Sequence, residues 1–457
     1  MYGAQPGALI AASFLALCIA FGGGGSPAPF PELVLELVAA GLALIALALP
    51  LAVFDWQRVP REAWIIILLV AGVPLLQLVP LPPLLWHALP ARDLQARALD
   101  LIGAQDSWRP WSMAPSRTLA SLLSLGPPLL LLAMTSALNR QGRQWLIRAI
   151  VIMTLATLLL GALQLSAGDD SPFHLYGVTV PMLVGFQANH NSTADVLLIG
   201  LIAVPLLTIE LVERRVIPNR SGPVLGFAAA GIALVALGVV LTASRMGIML
   251  MPIALAACLW ILRPWLSITR RRLAYGTAVL AALTLLGFLL LRHSPVLATV
   301  LARFDFSEEL RPQLWIDGYY VARKYFPFGV GMGDFVPAFV ADERLESIWP
   351  SLPNRAHNDF LELACEAGML GLLALSAISW TLIRALRQKL GGETGLPAAL
   401  TVFGASSLVI LALHSLVDYP FRSMALAGLG AVCAGLLLSP RQDGESAIDA
   451  RGAGKTR

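Results

Sequence analysis

The densest run of polar side chains in the sequence is Asn354–Glu366, which gathers Arg355, His357, Asn358, Asp359, Glu362 and Glu366. A histidine titrates near neutral pH and suits general-base work. A solitary histidine is more often structural, and it is the neighbouring Arg355, Asn358 and carboxylates that make His357 a candidate. Read as a helix, the run places His357 at its start and Asp359, Glu362 and Glu366 on roughly one face. Arg245 stands between two apolar runs in Leu241–Gly247 with no acidic neighbour. An arginine at bilayer depth costs roughly 2.5–3.5 kcal/mol, so the position suggests an anionic ligand; a snorkelling side chain on lipid phosphate is the alternative. Arg311 follows Glu308 at a spacing that also allows a plain helical ion pair, and Arg303 competes for any role given to it.

Two further groups carry hydrogen-bonding side chains. Asn189, His190, Asn191 and Thr193 open an apolar run and suit either a helix cap or sugar hydroxyls. His414 and Asp418 are four apart, a spacing that allows a pair, with local capping as the favoured reading. The glycine-rich Pro327–Asp334 lacks the Lys-Ser/Thr and preceding strand of a phosphate-binding loop. It reads as a tight turn that lets backbone approach a neighbour. The six histidines show no HExxH-type spacing, and the four cysteines form no CxxC pair. No metal, cofactor or nucleic acid is expected.

These residues need a scaffold, and the composition says which. Of 457 residues, 57% are apolar and only 13% charged, with mean hydropathy +0.74. Soluble domains carry about 25% charged residues, so a water-soluble enzyme and a disordered chain are both excluded. At roughly 20 residues per crossing, the apolar supply covers about a dozen spans. Runs fall near 7–22, 33–54, 63–81, 118–138, 145–166, 192–212, 223–242, 246–262, 273–291, 367–383, 396–416 and 423–438. The first lacks a basic leader and reads as a helix, not a cleaved signal peptide. With the N-terminus cytoplasmic, short loops and the tail on that side hold 19 Lys and Arg against 2 opposite. That bias places both termini, including the tail 439–457, in the cytoplasm.

Two segments then lie outside. Residues 82–117 present Leu94, Ala98 and Leu101 on one helical face opposite Arg92, Asp93 and Arg97, with Trp86, Trp108 and Trp111 near. This suits a helix lying at the membrane interface, with an exposed loop as the alternative. Residues 292–366 are long enough to fold and are where chemistry is expected. The fold class is therefore an all-α polytopic membrane protein of about twelve helices, nine before a large, partly helical outer loop and three after it (367–438).

The order of motifs resembles the bacterial O-antigen ligase and Wzy-type polysaccharide polymerase superfamily. It runs from the Asn-rich helix start through Thr242–Gly247, Arg311–Trp315, Pro327–Gly333 and Ala356–Gly368 to His414–Pro420. The resemblance covers roughly 185–425; residues 1–180 add only helix count and the segment ending in Pro115–Thr118. It implies a GT-C-like inner-membrane glycosyltransferase that moves a glycan from undecaprenyl diphosphate to an acceptor sugar hydroxyl at the periplasmic face. The transfer it implies is metal-independent and inverting, with membrane lipids around the enzyme. The implied catalytic residues are Arg245, Arg311 and His357. Asn189, Asn191, Arg303, Arg355, Asn358, Glu362, His414 and Asp418 are the expected substrate-binding set.

Within that superfamily the acceptor is either another lipid-linked repeat (polymerase) or lipid A–core (ligase). Residues 292–366 hold 7 Lys and Arg against 11 Asp and Glu, net −4. A phosphate-rich lipid A–core favours a basic vestibule, so the balance tilts toward polymerisation. A lipid-linked oligosaccharide transporter is the reading from another class. Transporters place ionisable groups at mid-span beside broken helices, whereas these charges gather at one surface.

Overall fold

The computed structural model describes residues 6–24, 29–48, 55–167, 172–176, 181–266, 311–348 and 353–440. The run expected to span at 273–291, Arg303 with the rest of 292–310, and the tail beyond 440 lie outside the described residues. Each of the other eleven runs carries a helix over most of its described residues. The helices are α1 (Pro6–Phe21), α2 (Pro29–Ala48), α3 (Arg61–Gln77), and the consecutive α6 (Pro115–Ser124) and α7 (Gly126–Ala137). They continue with α8 (Arg140–Ala167), α9 (His190–Glu213), α10 (Ser221–Leu241), α11 (Arg245–Leu262), α14 (Asp359–Leu390), α15 (Gly395–His414) and α16 (Met424–Leu438). Between them lie the short α4 (Pro83–His87) and α5 (Asp93–Asp100), then α12 (Arg311–Tyr325) and α13 (Phe335–Asp342). Among the described residues, eight helices are long and apolar enough to cross a membrane, with α6 and α7 counted as one; α1 and α16 are apolar but shorter. The chain is an integral membrane protein with an all-helical body.

Apolar pattern sets each helix's place. α9 is apolar on every face and so must be interior; from Asn191 to Leu206 every residue is buried. It packs against α8, α10, α11 and α15, while α7 and α16 pair beside α1. α2 instead exposes Phe30, Leu33, Leu37, Leu44 and Leu47, and α8 exposes Ile152, Leu155 and Leu159. An apolar surface of that extent suits hydrocarbon, not water.

One end of this bundle carries the polar groups. There α1 ends at Phe21, α9, α11 and α14 begin, and α15 ends at His414. The backbone ties Ala425 N–H to the Gly22 carbonyl (3.1 Å), Ala188 N–H to that of Gly23 (2.9 Å), and Asp359 N–H to that of Ser415 (3.0 Å). The segment 78–114 folds over this end as α4, α5 and a two-residue antiparallel clip that pairs Pro80 with Pro110 and Leu81 with Arg109. Leu94 on α5 and Leu101 just after it are exposed, as is Trp108, whereas Trp86 is buried and donates to the Ser107 carbonyl (3.0 Å).

The described part of the long loop is helical at α12 and α13. The glycine-rich stretch between them forms the expected close turn against α14. Val330 and Gly331 donate to the carbonyls of Cys365 and Glu366 (3.0 and 2.9 Å), and Met369 N–H donates to that of Pro327 (2.8 Å). Gly368 breaks the α14 helix with φ 54°, and a Cβ there would run into the Pro327 carbonyl. Only glycine meets both demands. The same strap is latched to the 78–114 segment: Asp334 accepts from the Ser112 hydroxyl (3.0 Å) and Ala114 N–H (2.9 Å). Gln77 reaches both sides, donating to the Glu366 carbonyl and accepting from Met332 N–H (2.9 Å each).

Candidate active site

His357 sits on a turn that is fixed from three directions. Its own φ is 49°, in the left-handed region that non-glycine residues seldom adopt and that functional sites tolerate. The preceding Ala356 donates its N–H to Glu362 (2.9 Å), and its carbonyl accepts from the Trp315 indole (3.1 Å). The following Asn358 caps α14, its side chain accepting from Leu361 N–H (2.9 Å) while its amide donates to the Leu416 carbonyl (3.0 Å). The helix begins where the polar run predicts it. Asp359, Glu362 and Glu366 share one face, since all three reach Arg422.

The imidazole meets a carboxylate from a distant part of the chain. His357 Nδ1 lies 3.3 Å from Asp418 Oδ1, and the Tyr419 ring stands edge-on to it at 4.9 Å. Asp418 Oδ2 accepts from the Asn191 amide (2.5 Å) and lies 4.0 Å from an Arg311 nitrogen. Asp418 Oδ1 also accepts from Tyr419 N–H (2.9 Å). Burial pushes the Asp418 carboxyl up, but the adjacent His357 and the charges of His414 and Arg311 outweigh it and hold it well below the usual carboxylate range. An ionised Asp418 at Nδ1 favours the tautomer that leaves Nε2 as the basic nitrogen. The His357 side chain is 27% exposed, enough to be reached.

Three of the sequence candidates, Asn191, Arg311 and His357, therefore converge on a fourth, Asp418. Arg245 is brought to the same end: it opens α11 behind the Ser244 cap, and Gly247 packs on Ala194 in the first turns of α9. Arg355 holds Glu362 Oε1 at 3.0 Å, and Glu362 itself is fully buried beneath the turn. Asn189 caps α9 by accepting from Asn191 N–H (2.9 Å), and the Asn354 amide donates to the Tyr419 hydroxyl (3.1 Å).

One pairing that the spacing allowed is not formed. The His414 imidazole does not pair with the Asp418 carboxylate, although the backbone keeps the four-residue turn, with Asp418 N–H donating to the His414 carbonyl (2.9 Å); the ring is taken by a carboxylate of another helix. His414 is buried and lies 2.7 Å from Asp195 of α9, which is buried too. Asp195 went unread in the sequence. The available signal was an isolated carboxylate inside an apolar run, which by default marks a functional or paired position. Arg422 and Trp315 were missed as well. Neither lies near His357 in the chain.

No curated protein matches this chain. Residues 230–376, about a third of its length, match the family model Wzy_C, O-antigen ligase. The matched stretch holds Arg245, Arg311 and His357; Asn191 and Asp418 lie outside it. The match points to membrane glycosyltransferase activity of the O-antigen ligase or polymerase type, and over that stretch the chain is similar to O-antigen ligases.

Proposed function

We propose that the protein transfers a glycan from an undecaprenyl-diphosphate donor to an acceptor sugar hydroxyl on the periplasmic face of the bacterial inner membrane. The observation that carries this reading is the convergence of His357 and Arg311 on Asp418 at the polar end of the bundle. His357 Nε2 takes the acceptor proton. The freed oxygen attacks the anomeric carbon from the face opposite the leaving group. The bond from that carbon to the phosphate oxygen breaks, the diphosphate departs with the electron pair, and the sugar inverts. Arg245 and Arg311 grip the diphosphate with charge-assisted hydrogen bonds. They neutralise its growing charge, a task that metal ions perform in other transferases.

The net −4 charge of residues 292–366 favours a lipid-linked repeat as acceptor, and hence polymerisation. Ligation to lipid A–core is the second reading, favoured by the description of the matching family. Purified protein incubated with its lipid-linked repeat, with and without lipid A–core, separates the two. Chain lengthening without core means polymerase, and attachment to core means ligase. Activity is expected to survive EDTA and to vanish in His357→Ala. Flipping of the lipid-linked sugar in proteoliposomes without glycan transfer would instead support a transporter.

A further inference from the structure

Behind the His357 turn lies a buried charge cluster that transfer chemistry does not use. Arg422, on the one-turn 3-10 helix Pro420–Arg422, is 14% exposed. Its guanidinium lies 2.8 Å from Glu366, 3.4 Å from Glu362 and 3.6 Å from Asp359. Each of these carboxylates holds a different strand of the site. Glu362 takes Ala356 N–H and Arg355, the two residues before His357. Asp359 takes the Ser415 hydroxyl (2.9 Å) and Phe421 N–H (3.2 Å), which bracket Asp418. Glu366 takes Gly333 N–H (3.0 Å) and Phe335 N–H (3.3 Å) of the glycine-rich strap.

We propose that Arg422 is a positioning residue that sets the alignment of His357 with Asp418 without touching substrate. Through Glu362 it fixes the backbone on the His357 side, and through Asp359 the backbone on the Asp418 side. A single guanidinium is thus common to both halves of the pair. An arginine suits the task because its planar fork offers several donors in fixed directions to more than one carboxylate. Lysine keeps the charge but gathers its donors on one nitrogen, so it reaches fewer of the three carboxylates in that geometry. The proposal rests on the reading of His357 as base, but its structural half does not depend on activity.

The test uses the full-length protein in detergent, as wild type, Arg422→Lys and Arg422→Gln. Turnover is measured with the lipid-linked donor and acceptor. Diethylpyrocarbonate modification of each histidine is followed by mass spectrometry. Misplacing a reacting group by about 1 Å can cost 100-fold. In Arg422→Gln, kcat should fall about 100-fold with KM within about twofold, and in Arg422→Lys the loss should be partly restored. His357 modification should change several-fold while buried His414 stays protected. Turnover of Arg422→Gln within threefold of wild type, or a loss confined to KM, would overturn the proposal. So would exposure of His414 in step with His357, since Arg422 would then merely hold the fold. Arg422→Lys keeps the charge, and its turnover and modification pattern decide the question if Arg422→Gln does not fold. If wild type transfers no glycan, the functional reading fails while the modification pattern still reports on the clamp.

Discussion

Asp418 gathers an imidazole, an amide, a guanidinium and its neighbour's N–H, and this explains why a carboxylate so buried remains ionised. In the proposed reaction Asp418 orients the His357 imidazole with Nδ1 toward itself and Nε2 toward the acceptor. Asn at that position preserves volume, but its amide allows the wrong tautomer. Asp418→Asn should therefore lower kcat on the order of 10³–10⁴-fold with little change in KM, checked by steady-state transfer assays. His357 was legible in the sequence because its polar neighbours are contiguous with it. Its partner was not, since four-residue spacing pointed Asp418 at His414, whose imidazole is instead taken by Asp195 of α9. No local pattern announces a contact between positions 357 and 418, or between 195 and 414.

Among elements, the apolar runs gave the helices well, because burial or lipid exposure of every face leaves few alternatives to a helix. The α14 boundary shows where hydropathy misleads. Its apolar run begins at 367, yet the helix begins at Asp359, since its charged first turns are buried against Arg422 and Arg355 and are not solvated. The latch between the strap and segment 78–114 was invisible to any local reading. Burial pushes its Asp334 carboxyl up to about 7, against the pull of Ala114 N–H and the Ser112 hydroxyl, with Glu366 adding to the rise. The native chain then holds more protons than the unfolded chain between about pH 4 and pH 7, so this group's contribution to stability falls as pH rises through that window. Thermal unfolding in detergent should show it: Asp334→Asn, which keeps an acceptor and cannot ionise, should flatten the decline in Tm between pH 5 and pH 8. An unchanged slope would assign the pH dependence to other groups.

For the whole molecule, scarcity of charge did most of the predictive work. It excluded soluble folds, and the belt of exposed leucines on α2 and α8 agrees with a lipid environment. Orientation rests on where lysine and arginine fall. The charge bias predicts both termini in the cytoplasm, so a green fluorescent protein fused after residue 457 should fluoresce, and alkaline phosphatase fused there should be inactive. The reverse pattern would invert the proposed face of the active site.

The pairing of Asp418 with His357, Asn191 and Arg311 also imposes an order in time. Synthesis delivers Asn191 first, then Arg311 and His357, and only later the turn bearing Asp418 and Arg422. At about 5–20 residues per second, a nascent chain carries its histidine for some seconds with no carboxylate to orient it. On the proposed mechanism, competence arrives with the last turns of the bundle, so a ribosome stalled before that point leaves an inserted chain whose His357 has no carboxylate to orient it.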